Sequence, residues 1–230
     1  MNIERALVIA AHPDDDVLGC GATMHRLALE GRQVRVVFLG EGSTCRFSRE
    51  EIEAGLSQAA VDQRQRFARE ALAVLGVTDF AFNDLPCGRF DTVPIIEIAA
   101  LVEKEIADFQ PDTVFTHFVN DVHNDHQLTF QAVLQSTRPT SNATVRNVLS
   151  FEVLSTTEWR FVDAFQPNYF VDAENHISVK AEALACYDTE TKSFPFPRSS
   201  EGVLALARMR GMQAGLRAAE AFMIVRSIER

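Results

Sequence analysis

The sequence contains no apolar run of the roughly 18 residues that a membrane-spanning helix needs, and no basic-then-apolar signal segment opens the chain. Basic residues are also scarce: 22 Lys and Arg stand against 32 Asp and Glu, for a net charge of -10. Nucleic-acid binding needs clustered Lys and Arg that displace counterions from phosphates, so we expect no nucleic-acid partner. A small anionic ligand held locally remains compatible with this charge. We expect a cytoplasmic protein that binds a small molecule.

Cysteine is present at only four positions. These residues are Cys20, Cys45, Cys87 and Cys186, which lie far apart in the sequence and form no CxxC pair. Neither a disulfide framework nor a zinc site built from thiolates is therefore indicated. We expect four free thiols in a reducing compartment.

Strands and helices are predicted to alternate along a chain of 230 residues, which is long enough to bury a full core. Short apolar runs predict strands at 5–11, 34–39, 80–82 and 113–117. Helical spacing predicts helices at 17–30, 51–75, 94–109, 126–135 and 203–221. Gly76 is the expected C-cap of the second helix, and residues 147–172 are richer in strand formers.

This alternation is typical of βαβ units, which build a parallel sheet with helices on both faces. The predicted fold class is therefore α/β: a Rossmann-like three-layer αβα sandwich with a mostly parallel sheet. We expect one domain over residues 1–230, in which 1–140 form the core that carries the site and 141–230 complete the fold and the substrate rim. No GxGxxG follows the first strand, so dinucleotide binding has no fingerprint here.

Two loops carry a concentration of chemically active side chains. The first is AHPDDD, with His12 and the carboxylates Asp14, Asp15 and Asp16, and the second is VHNDH, with His123, Asp125 and His126. Each loop follows a predicted strand and precedes a predicted helix, and parallel sheets place ligand sites at the carboxyl ends of their strands. Together the loops offer two imidazoles and a carboxylate, the ligand set of open zinc sites.

Simpler explanations exist for each loop taken alone. The aspartates could cap the following helix, because acids favour the positive end of its dipole. The histidines of the second loop could be solvated surface residues. However, four of the six histidines lie in or beside these loops, and a bound cation would turn the repulsion among adjacent acids into attraction. His25 and His176 lie outside the group, and His117 ends a strand beside it.

These motifs resemble those of the PIG-L (LmbE-like) family of zinc-dependent N-acetylglucosaminyl deacetylases. AHPDDD is similar to the AHPDDE of that family, and HNDH is similar to its second motif, HxDH. The likeness continues through DVHNDHQLTFQAVLQSTRP, STTEW and FPFPRSSEGVLALARMRGMQAGLRAAEAF, and so spans nearly the whole chain.

The resemblance implies a role for each residue of the two motifs. The implied ligands of Zn²⁺, or of another divalent transition metal, are His12, Asp15 and His126. Asp14 would be the general base that takes a proton from the attacking water. His123, in its protonated form, would be the general acid or the partner of the oxyanion, with Asp125 orienting it.

The resemblance also suggests contacts to substrate. The candidate substrate-binding residues are Arg64, Asp121, Cys87 and Arg198. Cys87 stands where many relatives have an Asp that meets the sugar, Asp121 stands where certain relatives use Tyr, and Asp16 replaces the usual Glu of the first motif. Trp159 and Glu158 are further candidates for the rim, although packing in the core would also explain the tryptophan.

The activity implied by the resemblance is removal of an N-acetyl group, with release of acetate, from an amino sugar or its nucleotide or lipid conjugate. One alternative is a metal-dependent hydrolase of another acyl amide or of an ester. An alternative from another class is a non-catalytic Rossmann-like binding domain whose acids are helix caps. The predicted helix at 203–221 would be compatible with a homo-oligomer interface or with packing on the sheet.

Overall fold

In the computed structural model, which describes residues 1–140 and 144–229, seven strands form a single sheet. They are β1 (Arg5–Ala10), β2 (Gln33–Gly40), β3 (Asp79–Leu85), β4 (Thr113–Thr116), β5 (Asn147–Phe151), β6 (Tyr169–Asp172) and β7 (Ala219–Ser227). Their order across the sheet is β3-β2-β1-β4-β5-β7-β6. The first five strands pair in parallel, and β7 is antiparallel to both β5 and β6. The expectation of a mostly parallel sheet is confirmed.

Helices cover both faces of this sheet. They are α1 (Asp15–Leu29), α2 (Arg49–Glu53), α3 (Gln58–Val74), α4 (Ile95–Phe109), α5 (Asn124–Ser136), α6 (Ile177–Ala185) and α7 (Ser200–Ala214). Two hydrophobic cores follow, one under α1, α3, α6 and α7 and the other under α4 and α5. The β1 side chains alternate between these cores, as the two-residue period of a strand requires. None of the helices within the described residues is long and apolar enough to span a bilayer.

Two of the predicted helices have the wrong extent. The helix predicted at 51–75 is two helices, α2 and α3, because the chain turns at Gly55, whose φ of 75° is left-handed. The helix predicted at 203–221 ends at Ala214, where Gly215 takes a φ of 72° as its C-cap. The chain then reverses, and residues from Ala219 onward form β7, because the gap between β5 and β6 supplies hydrogen-bonding partners for a strand.

The position of β1 determines where the site lies. It is flanked by β2 on one side and β4 on the other, so the connections that leave β1 and β4 at their carboxyl ends pass to opposite faces of the sheet. A crevice opens between such connections, and ligands of open α/β sheets bind there. The loops 11–14 and 117–123 both open into this crevice.

The helix that follows the first loop is held in place by a buried ion pair. α1 is kinked at Cys20 (φ -146°, ψ 24°), which frees backbone N–H groups in its second half. The carboxylate of Glu220 on β7 accepts hydrogen bonds from the N–H groups of Ala22 (2.9 Å) and Thr23 (2.7 Å). Lys180 on α6 lies 2.7 Å from Glu220 and completes the pair. The interior strand β7 therefore supports the helix that begins at the site.

Replacing Glu220 with Ala is expected to lower the free energy of unfolding by about 3–5 kcal/mol, because Lys180 is left buried without a counter-charge. Urea denaturation followed by circular dichroism measures this change. Glu30→Ala is the matched control: Glu30 pairs with Arg26 at the exposed end of the same helix, and its loss should change stability by less than about 1 kcal/mol. Equal effects of the two substitutions would contradict the assigned role of Glu220.

Candidate metal centre and active site

The side chains of His12, Asp15 and His126 converge in the crevice between the two loops. Asp15 Oδ2 lies 3.4 Å from His12 Nδ1 and 3.3 Å from His126 Nε2. One potential ligand atom of each residue lies within 4.8 Å of the other two, and all three residues are buried. The structure thus brings together the three residues that the family resemblance implies as ligands.

A second carboxylate holds each histidine from behind. His12 Nε2 lies 2.9 Å from Asp125 Oδ2, and His126 Nδ1 lies 3.3 Å from Asp121 Oδ1. Histidines that ligate metals commonly bind a carboxylate through the other ring nitrogen, which fixes the tautomer and the orientation of the ring. Two imidazoles and one carboxylate also match the ligand set of open zinc sites. These residues therefore fit a divalent transition-metal ion.

A second group, His12, His123 and Asp125, also places its potential ligand atoms within 4.8 Å of one another. The carboxylate of Asp125, however, already accepts hydrogen bonds from the backbone N–H groups of Gly88 (2.6 Å) and Phe90 (3.1 Å). An anchored carboxylate of this kind is typical of the outer partner of a ligating histidine. The first group therefore suits a metal ion better.

Charge interactions in the cluster outweigh the cost of burial. Burial would raise the pKa of Asp15, but the charged imidazole of His126 brings it well below its usual range. Burial would likewise lower the pKa of His126, but Asp15 and Asp121 raise it to about 10. The cluster thus holds protons where a cation would lie. Metal binding would displace them, because a ligating imidazole must be neutral.

His117 forms the floor of the cluster. Its ring stacks on that of His126 with centroids 4.0 Å apart, and its Nε2 accepts a hydrogen bond from the N–H of Ala11 at 2.8 Å. Burial and the neighbouring His126 hold its pKa well below the usual value, so the ring is neutral. This histidine supports the first loop.

Asp14 lies beside the cluster in a strained conformation. Its φ of 113° is left-handed, which costs a residue other than glycine about 1–3 kcal/mol and is found mainly at functional sites. It occupies the N-cap position of α1, yet its side chain makes no capping hydrogen bond. Its Oδ2 accepts instead from Arg198 Nη1 (2.8 Å) and Arg64 Nη2 (3.3 Å). Helix capping therefore does not account for this carboxylate.

Glu190 fixes the two arginines that hold Asp14. Its carboxylate lies 2.5 Å from Arg64 Nη1 and 3.7 Å from Arg198 Nη1, and Arg46 adds a third contact at 2.7 Å. With 7% of its surface exposed, Glu190 is a buried member of this network. The orientation of Asp14 is therefore set from outside both motif loops.

Asp14 has the properties of a general base. Burial raises its pKa above the ordinary value, although Arg64 and Arg198 act in the opposite direction. Within the described part of the chain, the hydrogen bonds to its carboxylate all go to Oδ2, so Oδ1 remains able to accept a proton.

His123 is poised as a neutral hydrogen-bond donor. Its Nδ1 accepts from the backbone N–H of Asp125 at 3.2 Å, which leaves the proton of a neutral ring on Nε2. Burial, together with His126 and His12, lowers the pKa of His123 to about 4. The resemblance implies a protonated His123, whereas burial among other imidazoles favours the neutral ring here. The role of His123 in the reaction stays a prediction.

A family model described as PIG-L, GlcNAc-PI de-N-acetylase, matches residues 7–137, more than half of the chain. The chain belongs to the PIG-L family. Diacetylchitobiose deacetylase of Thermococcus kodakarensis is 26% identical over 235 residues, which cover 99% of this chain and 85% of that protein.

Solved structures share the fold of this PIG-L protein along its length. N,N'-diacetylchitobiose deacetylase from Pyrococcus horikoshii matches with a TM-score of 0.76 at 21% identity, covering 98% of this chain and 85% of that one. GalB, the 4-carboxy-2-hydroxymuconate hydratase from Pseudomonas putida KT2440, matches with a TM-score of 0.76 at 22% identity over 99% of each chain. At these identities the likeness concerns the fold, which carries more than one chemistry.

Within the PIG-L motifs, Asp125 has a different contact from the one expected. The resemblance predicts that Asp125 orients His123, but its carboxylate binds His12 and the N–H groups of Gly88 and Phe90. The hydrogen bond between the two residues uses the backbone N–H of Asp125. The carboxylate therefore positions His12.

Asp121, predicted to bind substrate, is instead fully buried. Its carboxylate contacts His126 Nδ1, the backbone N–H of His123 (2.8 Å) and the hydroxyls of Thr156 and Thr157. These four contacts engage the carboxylate within the protein, and contact of Asp121 with substrate stays a prediction. The residue orients both histidines of the second motif.

The other predicted substrate contacts have protein partners in this PIG-L chain. Arg64 and Arg198 both bond to Asp14, and Arg198 also donates to Ser155 Oγ at 2.6 Å. Cys87 is buried, with its thiol directed at Cys45. Their contact with substrate stays a prediction.

Two acidic residues that shape the site carried no recognised signal in the sequence. Glu41 follows β2 and accepts hydrogen bonds from the N–H groups of Ser43 (2.6 Å), Thr44 (2.9 Å) and Cys87 (2.8 Å). An acid directly after a strand end could have been noticed. Glu190 follows α6 and gives no such local cue. Trp159 is 60% exposed, which excludes the core-packing explanation, and its place on the substrate rim stays a prediction.

Proposed function

We propose that the protein hydrolyses the N-acetyl group of an amino sugar, or of a small amino-sugar conjugate, and releases acetate and a free amine. Zn²⁺ held by His12, Asp15 and His126 is the proposed cofactor. The observation that carries this proposal is a carboxylate, Asp14, fixed by two arginines beside three side chains whose donor atoms could hold a metal ion. A general base next to such a set is what amide hydrolysis by water requires.

A bound Zn²⁺ would supply Lewis acidity, which polarises an acyl carbonyl and makes a water molecule easier to deprotonate. Asp14 would accept the proton of the attacking water at Oδ1 while its Oδ2 stays bonded to Arg64 and Arg198. These bonds hold the base still, and positioned general bases contribute about 10²–10⁴-fold to rates.

His123 would act on the other side of the scissile bond. Its neutral ring can donate the Nε2 proton in a hydrogen bond to the carbonyl oxygen, where negative charge develops. Asp121 and the backbone N–H of Asp125 hold this residue in place from two sides. The crevice would thus pair a proton acceptor with a hydrogen-bond donor.

The relatives support the class of substrate. Proteins whose names record deacetylation of diacetylchitobiose match this chain in sequence and in structure over most of its length. We therefore propose a small acetylated amino sugar as the substrate. A nucleotide or lipid conjugate of such a sugar would need additional space at the rim of the crevice, where Trp159 is a candidate contact.

Assays of acetate and free amine across a panel of compounds test this function. Protein loaded with one equivalent of Zn²⁺ should release both products in equal amounts from N-acetylglucosamine, N,N'-diacetylchitobiose or UDP-N-acetylglucosamine. A chelator should abolish the release, and added Zn²⁺ should restore it. Matched O-acetyl sugars and 4-carboxy-2-hydroxymuconate complete the panel.

The panel separates the proposal from its rivals. Cleavage of the O-acetyl sugars alone would indicate an esterase, and addition of water to the muconate alone would indicate a hydratase. A purified protein that holds no metal and turns over none of these compounds would support the binding-domain alternative.

A further inference from the structure

Two cysteines lie next to each other at the edge of the crevice. Cys45 Sγ and Cys87 Sγ are 3.0 Å apart, and the Cys87 thiol donates to the Cys45 sulfur. The two residues come from different loops, which follow β2 and β3. Glu41 ties these loops together, because its carboxylate accepts from the N–H groups of Thr44 and Cys87. The approach of the two sulfurs is therefore built into the fold.

The two thiols differ in access and in acidity. Cys45 is exposed, whereas Cys87 is 4% exposed. The hydrogen bond from Cys87 lowers the pKa of Cys45 to about 6, with a smaller contribution from Arg46. The same contact, together with burial, raises the pKa of Cys87. A solvent-accessible thiolate beside a buried thiol is the arrangement of an attacking and a resolving cysteine.

The buried cysteine is coupled to the metal centre through its neighbour in the chain. The N–H of Gly88 donates to Asp125 Oδ2 at 2.6 Å, and the same oxygen lies 2.9 Å from His12 Nε2. Gly88 itself packs on Cys45: a Cβ added at Gly88 would lie 3.2 Å from Cys45 Cβ. A movement of Cys87 toward Cys45 would therefore displace Gly88 and, through it, Asp125, the carboxylate that holds the proposed metal ligand His12.

We propose that Cys45 and Cys87 form a reversible disulfide in response to a peroxide, and that this bond slows the reaction in the neighbouring crevice. The disulfide requires the sulfurs to close from 3.0 Å to about 2 Å. The effect on turnover, but not the formation of the bond, rests on the deacetylase function proposed above.

The chemistry is balanced with hydrogen peroxide as the oxidant. The Cys45 thiolate attacks one peroxide oxygen, the O–O bond breaks, and Cys45 sulfenic acid and hydroxide form. The Cys87 thiol then attacks the sulfenic sulfur, the S–O bond breaks, and the disulfide and water form. Two electrons pass from the two sulfurs to the peroxide. A dithiol reductant returns both thiols by exchange.

Peptide mapping by mass spectrometry after peroxide treatment of the zinc-loaded protein tests the bond. The expected result is one cross-linked peptide pair, containing Cys45 and Cys87, that disappears on addition of dithiothreitol. Turnover of the best substrate from the panel should fall by about 10–100-fold in the oxidised protein, because displacements near 1 Å cost that much at reacting centres. Dithiothreitol should restore it.

Two variants make the test specific. Cys45→Ser should keep the turnover of the reduced protein and lose the response to peroxide. Cys186→Ser should respond like the unmodified protein, since Cys186 lies elsewhere and burial raises its pKa. Absence of the cross-link, or oxidation confined to other cysteines, would overturn the proposal. A cross-link that leaves turnover unchanged would overturn its coupling to the crevice. If none of the substrates is turned over, the peptide map still decides whether the bond forms.

Discussion

Asp14→Asn is expected to retain bound Zn²⁺ and to lower kcat by about 10²–10⁴-fold, the usual contribution of a general base. Asn keeps the size of the side chain and an oxygen that can accept from Arg64 and Arg198, so the fold around it should persist. It cannot accept the proton at Oδ1. The loss should therefore appear in kcat, while KM changes little, because substrate binding does not use this oxygen.

The measurement combines steady-state kinetics with metal analysis of the same preparation. Zinc content and the unfolding midpoint serve as controls, and both should equal those of the unmodified protein. Full activity in a zinc-replete Asp14→Asn protein would refute the role of Asp14 as base. A simultaneous loss of zinc would show that Asp14 belongs to the metal set.

His126→Ala is expected to weaken zinc binding by more than about 100-fold, since replacing even an outer partner of a ligand costs about 10–100-fold. His126 supplies one of the three converging candidate ligands, and the methyl group of alanine has no atom that can coordinate a metal. Competition with a chromogenic chelator measures the affinity directly, without reference to any substrate. Activity should be lost in proportion to the metal.

Two further histidine variants serve as comparisons in this experiment. His123→Ala should keep the zinc affinity of the unmodified protein within about tenfold, because His123 is assigned to the reaction and not to the metal. His25→Ala should have no effect, since His25 pairs with His176 outside the crevice. If His123→Ala lost zinc while His126→Ala kept it, the metal would lie in the second group, with His12 and Asp125.

The part of the site that the sequence predicted is the part built by local pattern. Each motif loop follows an apolar run and precedes a helix, and parallel pairing of β1 with β4 brings the two carboxyl ends together. Bringing the two motif loops into one crevice required only this rule, whereas the choice of His12, Asp15 and His126 as ligands came from the family resemblance. Fold class followed from the same alternation of strands and helices.

The rest depended on contacts between distant segments. Arg198 reaches Asp14, and Glu190 reaches Arg64, because α6 and the loop after it pack beside α3. Arg198 was expected to contact substrate and not Asp14, and nothing around Glu190 in the sequence marks it. The lowered pKa of His123 follows from burial among other imidazoles, which no motif displays. Residues 219–221, the first three of β7, were predicted as helix because their alanines continue the pattern of α7, and pairing of the strand with β5 and β6 outweighed that local preference.

The support of α1 by Glu220 has a bearing on how far the protein can be shortened. The residues matched by the family model end at 137. Four residues described above lie beyond that point: Lys180 and Glu220, which secure α1, Arg198, which bonds to Asp14, and Glu190, which braces the arginines. A polypeptide trimmed to the matched region would keep every proposed ligand, but Asp14 would be left with Arg64 alone, and Arg64 would lack Glu190. Recombinant truncations at 137 should thus yield an inactive, poorly folded product.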